Sequence, residues 1–284
     1  MAEPASPRGR ASVFGANGFV GRALVTHLGA QGYDVRAVTR GDETWRGQNL
    51  GHAFYTIGLT ADFRTRPFDT IEAHVSLLSD ILRGARFASF VYCSSTRVYA
   101  TAERTDEAAA IPVSPANPDH LYNLSKLMGE SICLGSGLAN VRVARLSNVF
   151  GQDLQSENFL TSVLKDAVQT GHVTLRTSLA SEKDYVWIGD VVRALEAIGT
   201  RGREPITNVA FGRNTTHAEI AETLAELAGV RVTATSGAPM VRFPPIETAR
   251  LDALAAGPRT PLLSLLGSLI QAFREPHPGS SSRA

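Results

Sequence analysis

"ASVFGANGFVGRALVTHLGAQGYDVRAVTR" occupies residues 11–40, and its pattern changes three times. Ala11–Phe14 is a short apolar run that stops at glycine, which predicts a buried strand. Val20, Leu24 and Leu28 then recur at helical spacing, and Gly32 ends that helix. "YDVRAVTR" alternates and is rich in valine, which predicts a second strand. A strand, a helix and a strand in about thirty residues make a crossover unit, hence a parallel sheet.

The same alternation continues outward. Residues 52–58 (HAFYTIG), 89–95 (SFVYCSS) and 141–151 (VRVARLSNVFG) read as strands, and 71–85 and 118–136 as helices. This predicts an α/β fold with a doubly wound parallel sheet. After residue 152 the pattern loosens, with helices expected over 157–171, 189–199 and 216–229. The expected division is a loose tail over 1–10, a dinucleotide-binding domain over 11–152, a smaller interleaved lobe over 153–274 that faces the substrate, and a second disordered tail over 275–284.

The chain has 284 residues, 43% hydrophobic and 19% charged, enough to bury a sizeable core. A formal net charge of +1 gives no nucleic-acid footprint and no polybasic membrane patch. No apolar run approaches the roughly 18 residues of a membrane span. The arginines of "MAEPASPRGR" precede no apolar segment, so it does not read as a signal peptide. Cys93 and Cys133 sit in apolar surroundings without metal or disulfide spacing. They read as buried thiols of a cytoplasmic protein, and no metal site is expected.

In "GANGFVG" the first glycine, Gly15, permits a tight turn. Gly18 allows close approach of a pyrophosphate, and Gly21 lets the helix pack on the strand. The helix N-terminus would face the phosphates. Gly15, Asn17, Gly18, Phe19, Val20 and Gly21 are therefore candidate cofactor-binding residues. The second strand ends in Thr39 and Arg40. A carboxylate there would accept from a ribose and repel a 2′-phosphate, whereas a guanidinium suits the phosphate. The expected cofactor is NAD(P), leaning to NADP(H), with Asp42 weighing against that lean.

"HLYNLSKLMGE" (120–130) places Tyr122 and Lys126 four apart, on one helix face. An ammonium beside a phenol favours the phenolate, and such a Tyr can exchange a proton with a substrate hydroxyl while hydride moves at a nicotinamide. "YCSSTRVYA" (92–100) supplies hydroxyls at the end of a predicted strand, where such folds carry their sites.

The G-x-x-G-x-x-G spacing together with Tyr-x-x-x-Lys resembles the extended short-chain dehydrogenase/reductase family, in its nucleotide-sugar epimerase/dehydratase group. The resemblance runs from about residue 11 to about residue 215. It implies a Rossmann-type domain that binds a nicotinamide dinucleotide, and a small C-terminal lobe that binds a sugar nucleotide. Counting back from Tyr99, as the family's motif does, gives Ser95 as the residue that polarises the substrate oxygen. Tyr122 would then be the acid/base, and Lys126 its tuner and ribose ligand. Both would touch the cofactor, as would Ile57, Gly58 and Leu59. Dehydratases of the family follow that Ser or Thr with two acidic residues. Thr96 and Arg97 stand there instead, which disfavours 4,6-dehydration and leaves epimerisation or simple redox chemistry.

"RLSNVFG" (145–151) and "SEKDYVWIGDVV" (181–192) also resemble family segments, with Lys183 where Arg is usual. The resemblance implies Asn148, Arg176 and Lys183 as substrate contacts alongside Thr96 and Arg97. Asp184 would order its loop and Asp190 would cap the next helix. His74, where the family often has Asn, is expected on a helix face rather than in catalysis. The segment between Arg40 and His52 is too short for the helix and strand that the family fits there. A homodimer through the helices around 74–85 and 121–134 is implied as well. Two rival functions remain: an oxidoreductase on a non-sugar carbonyl, and a non-catalytic dinucleotide-binding regulatory protein.

Overall fold

The computed structural model describes residues 8–60, 62–153 and 158–274. The tails expected at 1–10 and 275–284 lie outside these residues except for 8–10, and those three are ordered. Arg8 N donates to Gly32 O, and Arg10 opens the first strand. The chain divides into two compact units. The first comprises 1–147, 188–210 and 246–258; the second comprises 148–187, 211–245 and 259–284.

The first unit holds a parallel sheet. Its strands are β1 (Arg10–Phe14), β2 (Asp34–Val38), β3 (His52–Tyr55), β4 (Ser89–Ser95), β5 (Val141–Leu146) and a last strand Ile206–Val209. The order is β2-β1-β3-β4-β5 and then Ile206–Val209, six strands in all, every neighbouring pair parallel. The order reverses at β1, and such a reversal opens a crevice at the carboxyl ends of the strands. Helix α1 (Phe19–Ala30) follows β1. Residues 39–51 contain no helix and no further sheet strand, so β2 is the edge. Trp45, from this short connection, is buried and packs edge-on to Phe14, with centroids 5.7 Å apart.

Side chains alternate across the sheet, as the pleat requires. Phe54 and Val91 face helix Ile188–Arg201 at Gly199. Tyr55 and Tyr92 point the other way, toward a helical stretch made of α2 (Pro67–Ile71), a π-turn (Glu72–Ser76) and α3 (Leu77–Gly84). The Tyr55 hydroxyl donates to Ala73 O (2.7 Å) and that of Tyr92 to His74 O (3.3 Å). The π-turn carbonyls thus find partners on two buried tyrosines. π-turns inside helices often mark functional sites. Helix α4 (Leu121–Gly135) packs beside this turn. A Cβ on Gly129 of α4 would come within 2.8 Å of His74 O and closer still to the Tyr92 ring.

The stretch 141–151, expected as one strand, is two. β5 ends at Leu146, Ser147 N donates to Val209 O, and Asn148–Phe150 joins a different sheet. The expected strand over 52–58 stops at Tyr55.

The second unit has a three-stranded sheet (Asn214–Thr216, Glu182–Trp187, Asn148–Phe150) and a two-stranded one (Arg231–Ala234, His172–Leu175). Helices Phe159–Thr170, His217–Ala228 and Leu262–Arg274 cover a core that includes Leu164, Tyr185, Leu224 and Leu266. Helix His217–Ala228 opens with a reciprocal cap between Thr216 and Glu219. Among the described residues no helix is long and apolar enough to cross a membrane.

Candidate active site

The loops after β1, β3 and β4 leave adjacent strands of one parallel sheet. The glycine turn, the 56–60 segment and Ser95 therefore share its carboxyl edge. The backbone at Gly15 has φ +82°, a left-handed conformation that favours glycine. Gly18 N donates to Gly15 O at 2.9 Å. A Cβ on Gly21 would lie 2.1 Å from the same oxygen, so only glycine lets α1 start this close to the turn. Gly18 is the N-cap of α1, and no side chain caps that helix end. The first N–H groups of a twelve-residue helix thus open onto a glycine cradle, which fits a pyrophosphate. These residues suit the dinucleotide that the sequence implies.

At the end of β2, Arg40 is exposed, and among the described residues no carboxylate pairs with it. The Asp42 carboxylate is engaged by the N–H (2.8 Å) and hydroxyl (2.6 Å) of Thr44, and these bonds hold its pKa below the ordinary value. The carboxylate therefore stays ionised, and its charge still weighs against a phosphate at Arg40.

Tyr122 and Lys126 lie on the inner face of α4, each 4% exposed. Ser95 and Thr60 lie near enough to the Tyr122 hydroxyl to act on its ionisation. Burial pushes its pKa up, and Ser95, Thr60 and the Arg97 charge act in the opposite direction. Lys126 Nζ donates to Cys93 O at 3.0 Å, and burial lowers its pKa to about 8. The charge that favours the Tyr122 phenolate here is that of Arg97, whose Cζ lies 5.2 Å from the Tyr122 ring centroid. Ser95 ends β4, and its Oγ accepts from Arg97 N (3.2 Å), which fixes the first turn of the 3-10 helix Thr96–Thr101. Thr96 is buried and Arg97 half-buried.

His74, expected on a helix face, is fully buried in this cluster. Its Nε2 accepts from Leu59 N (3.1 Å), and its Nδ1 lies 2.8 Å from Ser125 Oγ. Ser125 donates onward to Tyr122 O (2.9 Å), so Nδ1 must be the protonated nitrogen. The His74 ring meets the Tyr122 ring edge-on, with centroids 5.4 Å apart. Burial, and then the Lys126 charge, push its pKa down to about 3, so the ring is neutral. It ties the 57–60 segment to α4. The sequence signal was its place where the resembled family often has Asn. Gly58 borders both groups: a Cβ there would lie 3.5 Å from Lys126 Nζ and 3.6 Å from His74 Nε2.

Below the site, Glu130 stands one turn after Lys126 on α4. It accepts from Ser94 Oγ (2.5 Å) and, in a forked pair, from Arg145 (2.6 to 3.2 Å). Arg145 also donates to Tyr99 Oη (2.5 Å), which bonds Asn208 Oδ1 (3.0 Å). This buried network joins α4 to β4 and β5 and was not expected from the sequence.

In the second unit, Asn148 Nδ2 donates to Asp184 O (2.8 Å). Asp184 accepts from Phe211 N (3.0 Å) and Gly212 N (2.6 Å), which orders that loop. Lys183 Nζ lies 5.5 Å from the Phe159 ring centroid, and Arg176 is exposed. In the first unit, Asp190 stands in the first turn of its helix and pairs with Arg193 at 2.6 Å. Cys93 and Cys133 are free and buried. Among the described residues no cluster of His, Cys, Asp or Glu could hold a metal.

Curated relatives include the dTDP-glucose 4,6-dehydratase of Streptomyces griseus, 29% identical over 146 residues. That match covers 50% of this chain and only 44% of the dehydratase. The UDP-glucose 4-epimerase of Mycolicibacterium smegmatis is 26% identical over 265 residues, covering 78% of this chain and 83% of the epimerase. Among solved structures, MoeE5 in complex with UDP-glucose and NAD superposes with a TM-score of 0.77 at 21% identity, covering 94% of this chain and 99% of that one. That likeness establishes the Rossmann-type fold. The model of the NAD dependent epimerase/dehydratase family matches residues 11–210, most of the chain and all of the glycine turn, Ser95, Tyr122 and Lys126, and the protein therefore belongs to that family.

Proposed function

We propose that the protein is an NAD(P)-dependent epimerase or ketoreductase that acts on a nucleotide sugar. The observation that carries this is the buried Tyr122 phenol, set beside Ser95 and Arg97 at the carboxyl edge of a sheet with an open glycine cradle. When bound, a nicotinamide dinucleotide supplies the hydride acceptor or donor. Tyr122 Oη takes or returns the proton of the substrate hydroxyl, Ser95 Oγ holds the substrate oxygen, and Lys126 stiffens α4 beneath them. His74 keeps the 57–60 segment in register with Tyr122. With no carboxylate at 96 or 97, the extra proton transfers of dehydration lack their usual groups, so 4,6-dehydratase chemistry is disfavoured. Asn148, Arg176 and Lys183 are candidate substrate contacts. Arg40 favours NADP(H).

Relatives named for UDP-glucose and dTDP-glucose support a nucleotide sugar as substrate. Tyr122→Phe should abolish turnover of a UDP- or dTDP-hexose with dinucleotide affinity retained; unchanged turnover would sink the proposal. Released nucleotide from denatured protein, then titration with NADH and NADPH, separates the two chemistries. Tightly held NAD favours a redox-neutral epimerase, and exchangeable NADPH favours a reductase. A homodimer is also proposed: Phe68 (88% exposed), Met128 and Leu134 leave apolar surface on α2 and α4. A monomer mass in sedimentation equilibrium would refute it.

A further inference from the structure

Two guanidinium groups share the Phe63 ring. The Cζ of Arg64 lies 4.5 Å, and that of Arg97 4.9 Å, from its centroid. Arg64 is neutralised by Asp119, with Nε 2.5 Å from Oδ1. Arg97 has no such partner: among the described residues no carboxylate comes within ion-pairing distance of it. It is half-buried on two aromatic faces, those of Phe63 and Tyr122, and Tyr122 itself packs on Phe63 with centroids 5.7 Å apart. Its main chain is pinned to Ser95 Oγ. A positive charge has therefore been moved partly out of water and aimed by its backbone and two rings, with no carboxylate in direct contact; Asp119, already paired with Arg64, acts on it only from beyond ion-pairing distance. Burial is the main force on it and disfavours its charged form. Such an arrangement costs stability unless a counter-ion arrives with the ligand.

Position narrows the ligand. The reacting carbon must lie within reach of Tyr122 Oη and Ser95 Oγ, and Arg97 borders both residues. An anion that meets it is carried close to the reacting carbon. A carboxylate matches the planar fork of a guanidinium with two parallel hydrogen bonds. We propose that Arg97 is the receptor for a carboxylate on the sugar, so that the substrate is an acidic nucleotide sugar of the uronic acid type rather than its neutral hexose counterpart. This rests on the nucleotide-sugar function proposed above.

The test is calorimetric titration of the protein, loaded with whichever of NAD and NADP it binds, with UDP-glucuronic acid and UDP-glucose, and with the dTDP forms of both. It compares the parent, Arg97→Gln and Arg97→Lys, each checked by circular dichroism. The parent should bind the acidic form on the order of 10-fold or more tightly. Arg97→Gln should remove most of that preference, and Arg97→Lys should keep part of it. Equal loss on acidic and neutral ligands would overturn the inference and move Arg97 to the diphosphate, which both ligands share. No preference in the parent would overturn it as well. So would a shifted pH profile of turnover with the preference intact, since Arg97 would then serve to tune Tyr122. If the protein binds NAD or NADP but none of the four nucleotide sugars, the proposed function itself fails, and the inference falls with it.

Discussion

Two glycines of helix α1 should respond to alanine with opposite signs. At Gly21 the new Cβ would sit 2.1 Å from Gly15 O, 2.8 Å from Gly15 C and 3.0 Å from Ala16 Cα. All three atoms are backbone, so no side chain can swing away. Against a contact distance of ~3.5 Å, α1 must retreat from the turn by about an ångström. Overpacking of this kind costs about 1–3 kcal/mol, and the gain of about 1 kcal/mol in helix propensity offsets only part of it. At about 2–4 °C per kcal/mol, the melting temperature should fall by several degrees. Because the same retreat opens the phosphate cradle, dinucleotide affinity should fall with it. At Gly29, near the end of the same helix, a Cβ meets nothing within 4 Å. Gly29→Ala should stabilise by about 0.4–1 kcal/mol and leave binding alone. Thermal unfolding by circular dichroism and titration with NADH and NADPH read both effects. If Gly21→Ala melts and binds like the parent, the close approach of α1 to the turn is not what these distances say.

Glu130→Gln breaks a forked pair whose partner, Arg145, is 3% exposed, and should cost about 3–5 kcal/mol in urea unfolding. The double variant Glu130→Leu/Arg145→Met should recover most of that loss, because no charge is then left buried alone. His74 binds its proton near pH 3 in the fold against 6.5 unfolded, so the unfolded chain holds more protons between those values. Stability should therefore fall as pH drops through this window, by up to about 1.4 kcal/mol per pH unit, and His74→Asn should flatten that slope in pH-dependent melts. Lys126 titrates near pH 8 in the fold against 10.5 unfolded, so holding it charged costs stability below pH 8, and that cost disappears by about pH 10.5. The stability of Lys126→Met relative to the parent should thus be higher at pH 7 than at pH 10.5, by on the order of 3 kcal/mol, and a pH-independent difference would contradict the lowered value.

The crossover unit was legible because its signals are local. Apolar spacing, three glycines and valine alternation all lie within residues 11–40, and β1, α1 and β2 follow them. The helical spacing of Tyr122 and Lys126 was legible for the same reason. The stretch 141–151 was not, since alternation does not reveal which partner a strand will have. Ser147 bonds to Val209 while Asn148–Phe150 pairs with Tyr185–Trp187, and the split follows from those distant segments. His74 shows the same limit. Its place on a helix was legible, but the match of its two ring nitrogens to Leu59 and Ser125 requires segments 15 and 51 residues away to meet. The sequence by itself determined the sheet, the glycine turn and the face of α4 that carries the phenol and the amine. Only the tertiary structure decided that Lys126 answers to the Cys93 carbonyl and that Arg97 stands unpaired over Tyr122, because a charge's partner is set by which surfaces meet in space rather than by its neighbours in the chain.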